Sequence, residues 1–229
     1  MADYVTLTEL KARINIPALT TDHDTVLTGL ITDASRAVDG YCNRSLDGFV
    51  ALSVATARLY YGDGTSVQRI DECTAITLVE VKDSATDSAY VTWTTSDWIA
   101  FMGDPQRPNF NRTPYDKLMI DPNGSYVIWT NGGYVGPRGF RPETDEPRYL
   151  PTVRVTAKWG YATVVPGPVK EATAMLATRW FKRLQGAMSD TLASPEIGGT
   201  LMYKQEIDPD IKMALKHTQL IRPAVRPPI

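Results

Sequence analysis

His23 and His217 are all the imidazole the chain has. Imidazole is the side chain best suited to proton transfer near neutral pH, so a catalytic centre would have to use one of these two or a carboxylate pair. His23 lies in a polar approach to a helix. His217 lies near the end of another, where its charged form suits the helix dipole. Neither belongs to a catalytic motif, because Gly-x-Ser-x-Gly, His-Glu-x-x-His and the Gly-x-x-x-x-Gly-Lys-Ser/Thr phosphate loop do not occur. Asp22 and Asp24 run straight into a helix without the later ligands of a calcium loop, and read as capping charges. Glu143, Asp145 and Glu146 share one stretch with Arg141 and Arg148, which reads as a solvated mixed-charge loop rather than an acid–base pair. Cys42 and Cys73 have no metal-ligand spacing. They read as small, partly buried thiols, left unbridged in a reducing compartment. The expectation is no enzyme, no metal and no cofactor.

Binding chemistry is thin as well. Arg138, Arg141 and Arg148 interleave with Tyr134, Phe140 and Tyr149, a pattern that can stack on bases. The formal net charge is −2 and no basic run exists, whereas phosphate contact relies on clustered Lys and Arg. Trp93 and Trp98, with the loop aromatics, would form the platform of a glycan- or nucleic-acid-binding β module on a helical base; their favoured reading is core. Charge is unevenly spread. From Pro168 to Ile229 nine Lys or Arg stand against six Asp or Glu, so this part carries +3 and the first 167 residues −5. The C-terminal part can face an acidic partner.

The elements that would position these residues are clearer. The chain has 229 residues, 43% hydrophobic and 22% charged, which fits one or two globular domains. No apolar run is long enough to span a membrane, and MADYVTLTEL lacks the pattern of a secretory signal, so the product is expected to stay in the cytoplasm. Thr6 and Glu9 form a capping box for a short helix from Leu7. Leu27, Leu30, Ile31, Ala34, Val38 and Tyr41 make the stripe of a longer helix, with Thr21 or Asp22 as its cap and Asp33, Arg36 and Asp39 mainly on the remaining surface. From Phe49 the period changes to that of strands. Gly62-Asp63-Gly64 and Asp121-Pro122-Asn123-Gly124 read as hairpin turns, the second between Lys117–Ile120 and Tyr126–Thr130. Residues 102–114 and 131–151 read as long loops, at least one of which orders against another subunit. Val153, Val155, Ala157 and Trp159 alternate as one buried strand face. Gly160, Pro166 and Pro168 turn the chain into a helix with Val169, Ala172, Leu176, Trp180 and Leu184 on one face. Lys182 and Arg183 close it. Residues 187–200 look flexible. Asp208-Pro209 starts a last short helix with Ile211, Ala214 and Leu215 on one face. Pro223, Pro227 and Pro228 make the end an extended arm in which Ile221, Val225 and Ile229 alternate with Arg222 and Arg226.

The expected fold class is α+β. A small helical bundle, residues 1–49 and 152–219, carries an inserted antiparallel β sandwich or barrel-like domain, 50–151, and an extended C-terminal arm, 220–229. This order of parts, and above all Tyr41-Cys42-Asn43-Arg44 and the strand–Gly160-Tyr161–Pro–helix joint, resembles the head–tail connector (adaptor or head-completion) proteins of long-tailed bacteriophages. The resemblance covers residues 4–49 and 152–186.

That resemblance implies a structural virion protein made in the host bacterial cytoplasm. It implies a ring, usually of twelve subunits, that joins the capsid portal to the neck or tail and extends the DNA channel without sequence-specific binding. The helices would line the channel and the β insert would project from it. The C-terminal arm would reach the portal through Ile221, Arg222, Val225, Arg226 and Ile229. Arg138, Phe140, Arg141, Tyr149, Lys182 and Arg183 are the candidates for contacts between subunits. Another neck or tail ring protein, a stopper or tail terminator, is the nearest alternative.

Overall fold

The computed structural model describes residues 2–44, 47–62, 64–132, 150–185, 191–193, 200–202, 209–217 and 220–222. The chain divides into two compact units, one from Met1–Phe49 with Val165–Ile229 and one from Val50–Val164. The fold is α+β: among the described residues there are four helices and a seven-stranded sheet whose pairings are all antiparallel.

The first unit is helical. Its α1 (Leu7–Arg13) starts at the expected box: the Thr6 side chain accepts from the Glu9 N–H and the Glu9 carboxylate accepts from the Thr6 N–H. Its α2 (Asp24–Tyr41) buries Leu27, Ile31, Ala34 and Val38 against α3 (Gly167–Gln185). Neither Thr21 nor Asp22 caps α2. The helix begins one or two residues later, after His23, which gives no side-chain cap bond. Residues 21–24 are used in a turn closed by the Asp24 N–H on the Thr21 carbonyl (3.0 Å). Lys11, only 3% exposed, ion-pairs with Asp24 there and donates to the carbonyls of Ala18 (3.3 Å) and Thr20 (2.7 Å). Asp39 also departs from expectation, since it is buried (1% exposed) rather than on the surface.

On α3 the buried face is Val169, Ala172, Thr173, Leu176, Ala177 and Phe181. Trp180 is only half-buried and Leu184 is 40% exposed. The core stripe therefore drifts one position at the C-terminal end, and Phe181 takes the place expected of Trp180, its ring meeting His23 edge-on at 5.5 Å. A helix turns 3.6 residues per cycle, so positions 180 and 181 stand about equally well for the same stripe and packing decides. A short helix, α4 (Pro209–His217), lays Ile211 and Leu215 into the core and leaves Ala214 exposed. Asp208, its expected cap, lies outside the described residues.

The second unit holds β1 (Thr56–Tyr60), β2 (Val67–Val81), β3 (Val91–Trp93), β4 (Trp98–Asp104), β5 (Arg107–Asn109), β6 (Tyr115–Ile120) and β7 (Val153–Trp159), in spatial order β1-β7-β2-β6-β4-β5 with β3 also on β2. Two expected hairpins fail. The runs flanking residues 62–64 do not pair with each other, because β7 lies between β1 and β2 and takes an edge of each. The turn at Asp121–Gly124 forms, closed by Gly124 N–H on Asp121 O at 2.9 Å, but Tyr126–Thr130 is not a strand. Both edges of β6 are already held, by β2 and β4. That segment instead sends Trp129 into the core, where its indole N–H donates to the Ser66 carbonyl (3.2 Å). The first expected loop, 102–114, contains a β4–β5 hairpin pairing Met102 with Asn109 and Asp104 with Arg107. The second, 131–151, lies mostly outside the described residues.

The core of this unit is aromatic and branched aliphatic. Trp159, Trp129, Val153, Val155 and Ala157 are fully buried, and Trp93 stacks on Tyr126 (4.0 Å) and Trp129 (4.7 Å). Trp93 is therefore core rather than a binding platform; Trp98 is half-buried. Gly160 ends β7 at φ 137°, and a Cβ there would lie 2.5 Å from the Ala51 Cα, so only glycine fits. Beyond the first unit's α3, β8 (Thr191–Ala193), inside the stretch 187–200 expected to be flexible, pairs antiparallel with β9 (Thr200–Met202), which starts at its last residue. The placement of Phe181 is open to test. Phe181→Ala should destabilise the helical unit by about 3–5 kcal/mol, and Trp180→Ala by clearly less, in urea denaturation followed by helical circular dichroism.

Candidate assembly site

The sequence pattern Tyr41-Cys42-Asn43-Arg44 terminates α2. Cys42 donates its N–H to the Val38 carbonyl (3.0 Å), and Asn43 takes a left-handed conformation at φ 56°. Asparagine is one of the few residues that accept this conformation readily, and it stops the helix as a glycine would. Arg44 then returns its N–H to the Asp39 carbonyl at 2.8 Å.

This helix end is where the C-terminal chain is held. Leu220 is buried (3% exposed) and its N–H donates to the Leu215 carbonyl (3.3 Å). The Arg222 N–H donates to the Cys42 carbonyl (3.0 Å), one of the acceptors that a helix end leaves over. The Asn43 side-chain amide donates to the Arg222 carbonyl (2.7 Å), and Arg44 Nε donates to the Leu220 carbonyl (3.2 Å). The Arg44 guanidinium also lies over the Phe49 ring at 4.9 Å.

Behind the helix end sits a polar knot. The Tyr4 hydroxyl donates to Asp39 and accepts the Phe49 N–H (2.8 Å), and Arg36 pairs with Asp39 at 3.3 Å. Burial raises the Asp39 carboxyl above its usual range, against the pull of Tyr4, Arg36 and Arg44. Burial, then the bond to Asp39, pushes the Tyr4 phenol well above its usual value. Cys42 is a free, buried thiol pushed up by burial to about 11, and in the other unit burial pushes Cys73 up to about 12. Thiols so raised are protonated and inert at neutral pH.

Of the residues expected at interfaces, Ile221 and Arg222 lie at this helix end, half-buried. Lys182 is exposed and Arg183 half-buried in the last turn of α3. Val225, Arg226, Ile229, Arg138, Phe140, Arg141 and Tyr149 lie outside the described residues, as do Glu143, Asp145 and Glu146. No group of three or more His, Cys, Asp or Glu among the described residues could hold a metal ion. No helix among them is long and apolar enough to cross a membrane. Sequence reasoning singled out the Tyr41–Arg44 pattern but missed that residues 220–222 dock on it. The only signal was an asparagine where a helix stop more often carries glycine.

The Tyr4 phenol gives a pH test. Its folded-state value is raised above the unfolded value of about 10. Its contribution is therefore complete below about pH 10 and falls as pH rises through the raised value. Tyr4→Phe should be less stable than wild type by about 1–3 kcal/mol near neutrality, and chemical denaturation above about pH 10 should show that gap narrowing.

No curated protein matches the chain. Among solved structures, a chain from the "Neck of empty GTA particle computed with C6 symmetry" aligns over 80% of this chain and 81% of its own length, at 13% identity and a TM-score of 0.46. A match to a protein family covers α1, α2, the Tyr41–Arg44 helix end, β1 and β2. Over residues 4–87 the chain is similar to the family of phage gp6-like head-tail connector proteins.

Proposed function

We propose that the protein is a structural component of a phage neck, a connector that assembles as a ring beneath the portal and continues the DNA channel toward the tail. The match over residues 4–87 carries this reading. It favours a connector over a stopper or tail terminator. The burial of Trp93 speaks against a glycan- or nucleic-acid-binding platform. The work of such a protein is recognition and assembly rather than catalysis, and it takes place in the virion after synthesis in the host cytoplasm. A head-to-tail ring presents two different surfaces of each subunit to its neighbours. Lys182 and Arg183, at the end of α3, are candidates for one of them, with Arg138, Phe140, Arg141 and Tyr149. Twelve copies is the number the connector resemblance implies.

In this reading the C-terminal arm engages the portal. Docking of Leu220–Arg222 on the body shortens the free arm to residues 223–229, with Val225 and Ile229 as apolar anchors and Arg226 as the charge. Each arm binds weakly, and many copies on one ring add up through multivalency. A chain lacking residues 223–229 should fold with unchanged circular dichroism yet fail to co-sediment with portal-bearing heads. Co-sedimentation equal to wild type would overturn the arm.

A further inference from the structure

We propose that the end of α2 is a clamp that fixes the point from which residues 223–229 leave the body, with Asn43 and Arg44 as its positioning residues. The clamp grips backbone. Arg222 is held on both its N–H, by the Cys42 carbonyl, and its C=O, by the Asn43 amide. Two residues earlier, the Leu220 carbonyl accepts from Arg44 Nε while the Leu220 side chain is buried. Three successive residues are thus set in position and direction whatever the side chains beyond them.

The residue types point the same way. Glycine is the ordinary residue for the left-handed stop of a helix and carries no strain there. Asparagine at position 43 adds one thing, a side-chain donor, and that donor is used on Arg222. Arginine is seldom buried without partners, and Arg44, 5% exposed, spends its Nε on the Leu220 carbonyl.

The sequence that follows the clamp suits a protein partner. Residues 223–229 read Pro-Ala-Val-Arg-Pro-Pro-Ile, with one positive charge and no acid. Three prolines restrict the chain before binding, and a fixed starting point restricts it further. Both lower the ordering cost of association. The surface that fits is a protein groove with apolar pockets for Val225 and Ile229 and a carboxylate for Arg226. The identity of that partner as the portal rests on the proposed function; the clamp does not.

The test separates the two. Asn43→Gly keeps the left-handed turn and removes only the donor. Hydrogen exchange of the full-length protein, read by mass spectrometry, should show peptides of α2 unchanged and residues 220–222 exchanging about tenfold faster, the equivalent of one hydrogen bond. Arg44→Lys, which keeps the charge, should have the same effect on residues 220–222. Unchanged exchange there in both variants overturns the clamp. Attachment of Asn43→Gly to portal-bearing heads should fall toward that of the chain lacking 223–229. Faster exchange with wild-type attachment would overturn the aiming role. Normal attachment of the chain lacking 223–229 would instead overturn the portal reading and leave the exchange result standing.

Discussion

A carboxylate buried in the last turn of a helix constrains everything within reach of it. Asp39 has 1% of its surface exposed, and an isolated charge so placed would be prohibitively unfavourable. The fold answers with donors from three directions. Tyr4 brings its hydroxyl from the N-terminal segment, Arg36 pairs from one turn earlier, and Arg44 adds its field from just past the helix end. Each donor is then committed elsewhere. Tyr4 accepts the Phe49 N–H, Arg36 donates to the Ala2 carbonyl (2.6 Å), and Arg44 reaches Leu220. At Gly48, φ 68°, a Cβ would sit 2.7 Å from the Tyr4 hydroxyl. One carboxylate therefore fixes the entry to α1, the exit from α2 and the first bond to the C-terminal segment. Removing any member leaves a buried polar group with one partner fewer, which costs more than the bond itself gains.

In the β unit the comparable role falls to β2. Its 15 residues pair with β7 along one edge and with β6 and then β3 along the other. Register shifts between Arg69 and Cys73, Cys73 and Ala75, and Ile76 and Leu78 let one strand serve three partners, as bulges do by bending a strand and raising its twist. Polar groups along it are matched across the ladder. Glu80 faces Arg154 directly in register, and the two form a bidentate pair with Arg154 over the Tyr90 ring at 4.5 Å. Such a planar fork gives orientation as well as attraction.

What the sequence made legible was local. The capping box of α1, the stripe of α2 and the alternation of β7 each arise from neighbours a few residues apart, and each appears in the fold. What it hid was competition between distant segments. Gly62-Asp63-Gly64 has good hairpin chemistry, yet β7, some ninety residues on, supplies a better edge to both flanking runs. Asp121–Gly124 turns as its residues require, but the strand expected after it finds both edges of β6 taken. Asp39 looked like a surface charge because periodicity counts side chains and not partners; Tyr4, 35 residues away, is what makes its burial tolerable. Trp180 and Phe181 differ by one step around a helix, and only the packing of α3 against α2 and His23 chooses between them.

The composition of residues 223–229 argues against nucleic acid as their partner. Neutralising phosphates takes several cations acting together, and residues 223–229 supply a single arginine per chain. Two of the basic residues after Pro168 are already engaged. Lys170 is paired with Glu9 and Arg179 lies 4.0 Å from Asp210, within the helical unit. What distinguishes the segment is Val225 and Ile229, four residues apart among prolines. Apolar side chains in a proline-rich, nearly uncharged sequence gain nothing from a phosphate backbone and gain most from closed pockets. Such pockets are found on folded proteins, and a fixed point of departure is useful only when the partner holds its pockets at a fixed distance.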